Sequence, residues 1–172
     1  MNRRTVIGLT TTAMLCTGVV FSASHAVAQQ KSLKEQVSGT WTIVSNDNIA
    51  ADGTKRQLFG PNPKGILVLA ANGQYTQIIV NPAVSKFKIN NRLQGTPEEN
   101  TAAVRGTTAT FGTWSVDEAN KVVIVRNEGG MFPNQAGTDS KRTVTMVGDD
   151  LKVSNPTPAS GGRSESVWKR VK

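Results

Sequence analysis

From Thr40 onward the chain alternates apolar and polar residues with a period of two, in short runs. Thr40 to Ser45 places Trp41, Ile43 and Ser45 on one side and Thr42 and Val44 on the other, the pattern of a strand with one buried face. "GILVLAANGQYTQIIV" is two apolar, β-rich runs around Asn72-Gly73, a pair that marks a hairpin because both residues tolerate positive φ. "TATFGTWSVDEANKVVIVRNEGG" repeats the design with a turn at Asp117 to Asn120, and "KRTVTMVGDDLKVSN" with a turn at Gly148 to Asp150. "SESVWKRV" reads as a last strand. The runs predict an eight-stranded all-β domain, nine-stranded if "TKRQLF" also pairs.

Two stretches depart from this period. "SLKEQVSGTW" opens with a capping box, Ser32 with Glu35 three residues on, and has Leu33 and Val37 on one face; it predicts a short N-terminal helix ended by Gly39. "VNPAVSKFKINNRLQGTPEENTAAVRG" has no clean alternation until Thr96-Pro97-Glu98-Glu99. There a capping residue, a proline at the first helical position and a glutamate at the third predict a helix over about 97–106. A sheet often uses such an excursion as a lid or plug. "NPTPASGGRS" is a loop before the last strand, and "GGMFPNQAGTD" reads as a rim or corner carrying Phe132, Pro133 and Asn134. Short strands whose edges all need cover fit a closed antiparallel barrel or a sandwich. Periodicity alone leaves both open.

The first 28 residues are of another kind. Arg3 and Arg4 make a positive start, Val6 to Val20 is mostly apolar or small, and "SHAVAQQ" supplies Ala26-x-Ala28, the small-residue pattern of a signal-peptidase site. The expectation is a signal peptide over 1–28, read by the Sec or the twin-arginine route. One domain then follows over 29–172, in the periplasm or secreted. Threonines and Gly18 interrupt the apolar core, which is shorter than the roughly 20 residues of a bilayer span.

Cleavage changes the available chemistry, because Cys16 and His25 are the single cysteine and histidine. Without them the domain has no thiol nucleophile, Ser-His-Asp triad, imidazole or thiolate metal site, or disulfide. The twenty basic residues less Arg3 and Arg4 leave eighteen against twelve acids, a net +6. Those charges are dispersed singly rather than clustered with aromatics, which argues against nucleic acid and suits anionic ligands.

Gly39-x-Trp41 after a short helix, with Arg170 two residues beyond Trp168, is similar to the calycin arrangement in which a first-strand tryptophan closes one barrel end beneath a late arginine. Together with "GTWTIVS", "LFGPNPKGILVLAANGQY", "TPEENTAAVRGTTATFGTWSVDE", "NQAGTDSKRTVTMVGDDLKV" and "VWKRV", it resembles the bacterial lipocalin-like domain family over nearly all of 37–171. The resemblance implies an eight-stranded up-and-down barrel, a helical segment between its middle strands, and structural roles for Trp41 and Arg170. By analogy with lipocalins it implies carriage of a small apolar molecule. Lys169 stands where an acid is expected, and Thr113-Trp114 where an aromatic of either kind is expected.

Candidate ligand-binding residues follow from parity. Arg142 is in step with Val144 and Met146, so it faces inward if they do. A buried guanidinium then needs a ligand or an acid, such as Glu128 or Asp139. Arg126 is in step with Val122 and Ile124, but Val123 and Val125 make both faces of that run apolar, leaving its side open. Tyr75 shares parity with Gln77 and Ile79, which places it in the lumen or on the rim; Trp114 is favoured over Phe111 as a cavity wall, with Gly112 leaving space. Glu98 and Glu99 suit a helix N-terminus, while Asp117, Glu118, Asp149 and Asp150 suit turns.

No catalytic residue, cofactor or metal is expected: the chain lacks the calcium-loop, P-loop, dinucleotide and nucleophile-elbow motifs. The leading expectation is an exported lipocalin-like protein whose partner is a small apolar or amphipathic ligand, carboxylate-bearing if Arg142 meets it, with no oligomeric state assigned. A cofactor-independent isomerase or cyclase acting in the same cavity, and a structural envelope protein with a filled barrel, are the alternatives.

Overall fold

The alternating runs close on themselves. In the computed structural model, which describes residues 31–172, the strands are β1 (Gly39–Ile49), β2 (Lys55–Arg56), β3 (Lys64–Leu69), β4 (Gln74–Val80), β5 (Thr107–Asp117), β6 (Val122–Gly130), β7 (Asp139–Val147), β8 (Asp150–Asn155) and β9 (Arg163–Arg170). Neighbours pair antiparallel in chain order, and β1 pairs with both β3 and β9. The result is a closed eight-stranded barrel, on which β2 is a two-residue addition opposite Asn48 and Ile49. Closure decides between barrel and sandwich, because it pairs the long edges that a sandwich leaves open. The stretch expected to be an export signal, 1–28, lies outside the described residues.

Both helices form where their caps predict. Helix α1 (Leu33–Val37) has the complete Ser32/Glu35 capping box, and α2 (Pro97–Arg105) has a Thr96/Glu99 box with Pro97 in its first turn. Helix α1 seals one end of the barrel. The buried Trp41 donates its indole N–H to the Val37 carbonyl at 3.0 Å. Over its ring lies the Arg170 guanidinium, 4.0 Å from the centroid, which also donates to the carbonyls of Ser38 and Gln36. Glu118, read from sequence as a local turn residue, instead accepts the backbone N–H groups of Leu33 and Lys34 at 2.8 and 2.9 Å, tying α1 to the β5–β6 turn. Leu67, Leu69, Val125, Val144, Leu151 and Trp168 fill this end as one apolar core.

Two bulges interrupt the ladders, and the first revises the parity. The β1–β9 register shifts between Ile43 and Ser45, and an inserted residue turns every later side chain to the other face. Beyond it the buried positions are Asn46 and Asn48 rather than the series of Ser45. The second bulge lies between Phe111 and Gly112 in the β5–β6 register. A Cβ on Gly112 would lie 2.0 Å from the Arg126 carbonyl oxygen, so this glycine admits the neighbouring backbone and leaves no space for a ligand.

Candidate functional site

The barrel interior has two halves. Toward α1 it is packed, with a void of about 10 Å³ among residues that include Leu67, Tyr75, Val125 and Leu151. Toward the opposite end it opens into a cavity of about 270 Å³. Arg142 lines both spaces and so stands at their boundary, the floor of the cavity. It reaches the interior because β7 alternates as its sequence predicts, with Ser140 and Val144 buried on the same face.

Neighbouring strands fix the guanidinium. Its Nη1 donates to the Tyr75 hydroxyl at 3.0 Å and to the Gln77 amide oxygen at 2.8 Å, and its carbon lies 5.2 Å from the centre of the Tyr75 ring. The Tyr75 hydroxyl donates to the same Gln77 oxygen at 3.1 Å. Having given its one proton, it accepts from Arg142 and from the Thr110 hydroxyl, 3.1 Å away. The Gln77 amide oxygen is thus doubly engaged, and the residue lines the cavity.

Among the described residues Arg142 has no counter-ion: no carboxylate pairs with it. Asp139, one acid proposed for it from sequence, pairs with Arg126 at 3.1 Å on the outer surface, where the side chains are 54% and 60% exposed. Glu128, the other, is exposed. The Arg142 Nε is buried without a hydrogen-bond partner. A guanidinium carries five N–H donors, and the Nε–Nη2 edge of this one is left without protein partners among the described residues.

The sequence-derived candidates therefore separate. Tyr75 and Arg142 meet at the floor. Arg126 does not join them: it points outward, so its parity with Val122 and Ile124 describes the outer face. Trp114 does face inward, 4% exposed, but at the closed end, where its indole N–H donates to the Ala70 carbonyl at 2.9 Å and Lys34 lies over its ring. It is absent from the cavity lining.

Sequence reasoning did not single out Gln77, Thr110 and Asn46. The first two sit opposite each other in the β4–β5 register, and Gln77 shares the parity of Tyr75, a signal that was available. Asn46 is turned inward by the bulge, which no sequence signal marks.

The mouth is built by loops and by the last turn of α2. Leu58, Phe59, Val104, Met131, Phe132 and Pro158 line it. The β8–β9 loop is held over it by Asn48, whose amide nitrogen donates to the Ser160 hydroxyl at 2.9 Å and the Gly161 carbonyl at 2.8 Å. Glu99 braces the segment ahead of α2 by accepting the N–H groups of Lys88 and Thr96. Those two bonds hold its carboxyl below the usual range, as expected for a carboxylate fixed by backbone donors.

A closed antiparallel barrel with an apolar plug at one end and an open cavity at the other defines a calycin-type architecture. The sequence model of the lipocalin-like domain family matches residues 38–171, and the chain belongs to that family. No curated protein sequence matches it. Among solved structures, the crystal structure of a point mutant of the fluorescent protein UnaG is similar. That likeness has 16% identity, covers 80% of this chain and 97% of that one, and has a TM-score of 0.37. The barrel itself rests on its own strand pairing.

Proposed function

We propose that this protein binds a small amphipathic molecule in the open half of the barrel and holds its carboxylate on the Nε–Nη2 edge of Arg142. The observation that carries the proposal is a guanidinium at the floor of a 270 Å³ cavity with no carboxylate partner among the described residues. A charge taken out of water without a counter-ion is costly, and the planar fork of arginine matches a carboxylate through two parallel hydrogen bonds. Tyr75 and Gln77 hold Nη1, so the fork is oriented before a ligand arrives, which lowers the ordering cost of binding.

The volume lies just under the roughly 300–1,000 Å³ of ligand pockets. It supports a carrier of a small molecule over a filled structural barrel. No observation favours the isomerase or cyclase alternative: Glu128 is exposed, and the Tyr75 hydroxyl is engaged by three side chains.

Calorimetric titration of decanoate and decanol into the wild type and Arg142→Gln tests the proposal. The wild type is expected to prefer the acid, and the variant to lose about tenfold or more of its decanoate affinity, worth about 1.4 kcal/mol. Equal affinity for decanoate in the two proteins would refute the assignment. The reading also includes export, with residues 1–28 removed on the strength of Ala26-x-Ala28. Mass spectrometry of the protein from its own host is expected to show a chain beginning at Gln29, and a chain retaining Met1 would overturn that part.

A further inference from the structure

The ligand itself is narrowed by how the cavity lining is sorted. We infer that its head group is a hydroxylated acid, of the chemical class of a sugar acid, seated within the barrel wall while its apolar portion stays at the mouth. The inference rests on the assignment of the carboxylate to Arg142.

The wall around and above Arg142 comes from the strands, and most of it is polar and uncharged: Asn46, Gln77, Thr108, Thr110, Asn155 and Ser164. Strand register stacks these groups. Gln77 lies opposite Thr110, Ile79 opposite Thr108, and Asn155 opposite Ser164. The bulky apolar lining is concentrated instead in the loops and α2 that form the mouth. A plain alkyl acid reaching Arg142 would lay its methylenes against amides and hydroxyls and leave its carboxylate end alone satisfied. Burial of that kind forgoes the gain of an apolar wall and leaves polar groups without partners.

Asn46 supplies an independent observation. It is 8% exposed, lines the cavity, and its side-chain amide makes no hydrogen bond among the described residues. The β1 bulge between Ile43 and Ser45 is what aims it inward, and bulges of this kind re-aim side chains beside functional sites. The floor offers the guanidinium of Arg142 as a donor, which suits an acceptor-only carboxylate. Asn46, Thr108 and Ser164 can each donate and accept, which suits alcohol groups beside that carboxylate. Among the described residues no aspartate or glutamate lines the cavity, so none of them there repels an anion.

The test compares three amphiphiles by calorimetry, each below its micelle-forming concentration. Octyl glucuronide has the acid, the hydroxyls and a tail; octyl glucoside lacks the acid; decanoate lacks the hydroxyls. The wild type is expected to bind octyl glucuronide about tenfold or more tighter than decanoate, because a site built for hydroxyls disfavours an analogue without them. Octyl glucoside is expected to be weakest. In Asn46→Leu and Thr108→Val the glucuronide-to-decanoate affinity ratio is expected to fall about tenfold. Should Asn46→Leu fail to fold, the isosteric Thr108→Val decides alone. If decanoate binds as tightly as the glucuronide, or the ratio is unmoved in the folded variants, the hydroxylated-acid inference is overturned and the Arg142 assignment stands. If the glucoside matches the glucuronide, or none of the three binds, the Arg142 assignment fails and the inference with it.

Discussion

Two inward arginines of this chain do opposite work because of what surrounds each. Arg170 stacks on Trp41 and gives hydrogen bonds to two carbonyls of the sealing segment, so its partners are all part of the fold. Arg142 has partners at Nη1 and a buried, unpartnered Nε, so its fold contacts orient it without neutralising it. Replacing Arg170 by Met should therefore lower stability by about 2–4 kcal/mol, from charged hydrogen bonds and the cation–π contact. A urea unfolding midpoint measures this, and an unchanged midpoint would show that the Trp41 end is held by α1 alone. Parity pointed Arg142 inward with Val144, while for Tyr75 it left lumen and rim open, and the hydrogen bond to Arg142 decides for the lumen. Parity failed for Arg126, because a strand apolar on both faces carries no inward mark, and Asp139 across the β6–β7 ladder holds that arginine outside.

At the scale of elements, caps and turns follow local chemistry, and bulges follow the ladder. The Ser32 and Thr96 boxes specify both helices because their hydrogen bonds close within four residues. The β5–β6 bulge instead depends on how close β6 comes to Gly112, and a side chain there meets backbone. Gly112→Ala is expected to cost about 1–3 kcal/mol, the usual range for overpacking, seen as a lowered thermal midpoint. A midpoint equal to wild type would mean that the two strands separate easily at that point. The β1 bulge has the larger functional effect: it exchanges Ser45 for Asn46 on the inner face, converting a strand that reads as a plain wall into one that offers an amide to the cavity.

For the whole molecule, closure joins the strands of the barrel in one ring of paired neighbours, and under the proposed function the open half of its interior links stability to ligand. A ligand that binds the folded state alone stabilises it by mass action, about 2.7 kcal/mol at a hundredfold excess over Kd. For a domain of this size that is a rise in Tm of about 5–10 °C. Decanoate, or a tighter hydroxylated acid, should produce such a rise in the wild type and about half of it in Arg142→Gln at the same concentration. Equal rises in the two proteins, followed by differential scanning fluorimetry, would detach the stabilisation from Arg142.

The amino-acid sequence by itself determined the strand runs, both helices, the sealing pair Trp41 and Arg170, and the inward parity of Arg142. Each is written in contacts between near neighbours in the chain, in the period of two, or in a family pattern spread over the strands. Tertiary structure alone decided that Trp114 belongs to the filled end and Arg126 to the surface, and that Asn46 replaces Ser45 inside. It also decided that Arg142 meets Tyr75 and Gln77 rather than an acid among the described residues. The reason is physical: register, bulges and the identity of a charge's partner depend on residues tens of positions apart, such as Tyr75 and Arg142, which meet only when the sheet has curled onto itself.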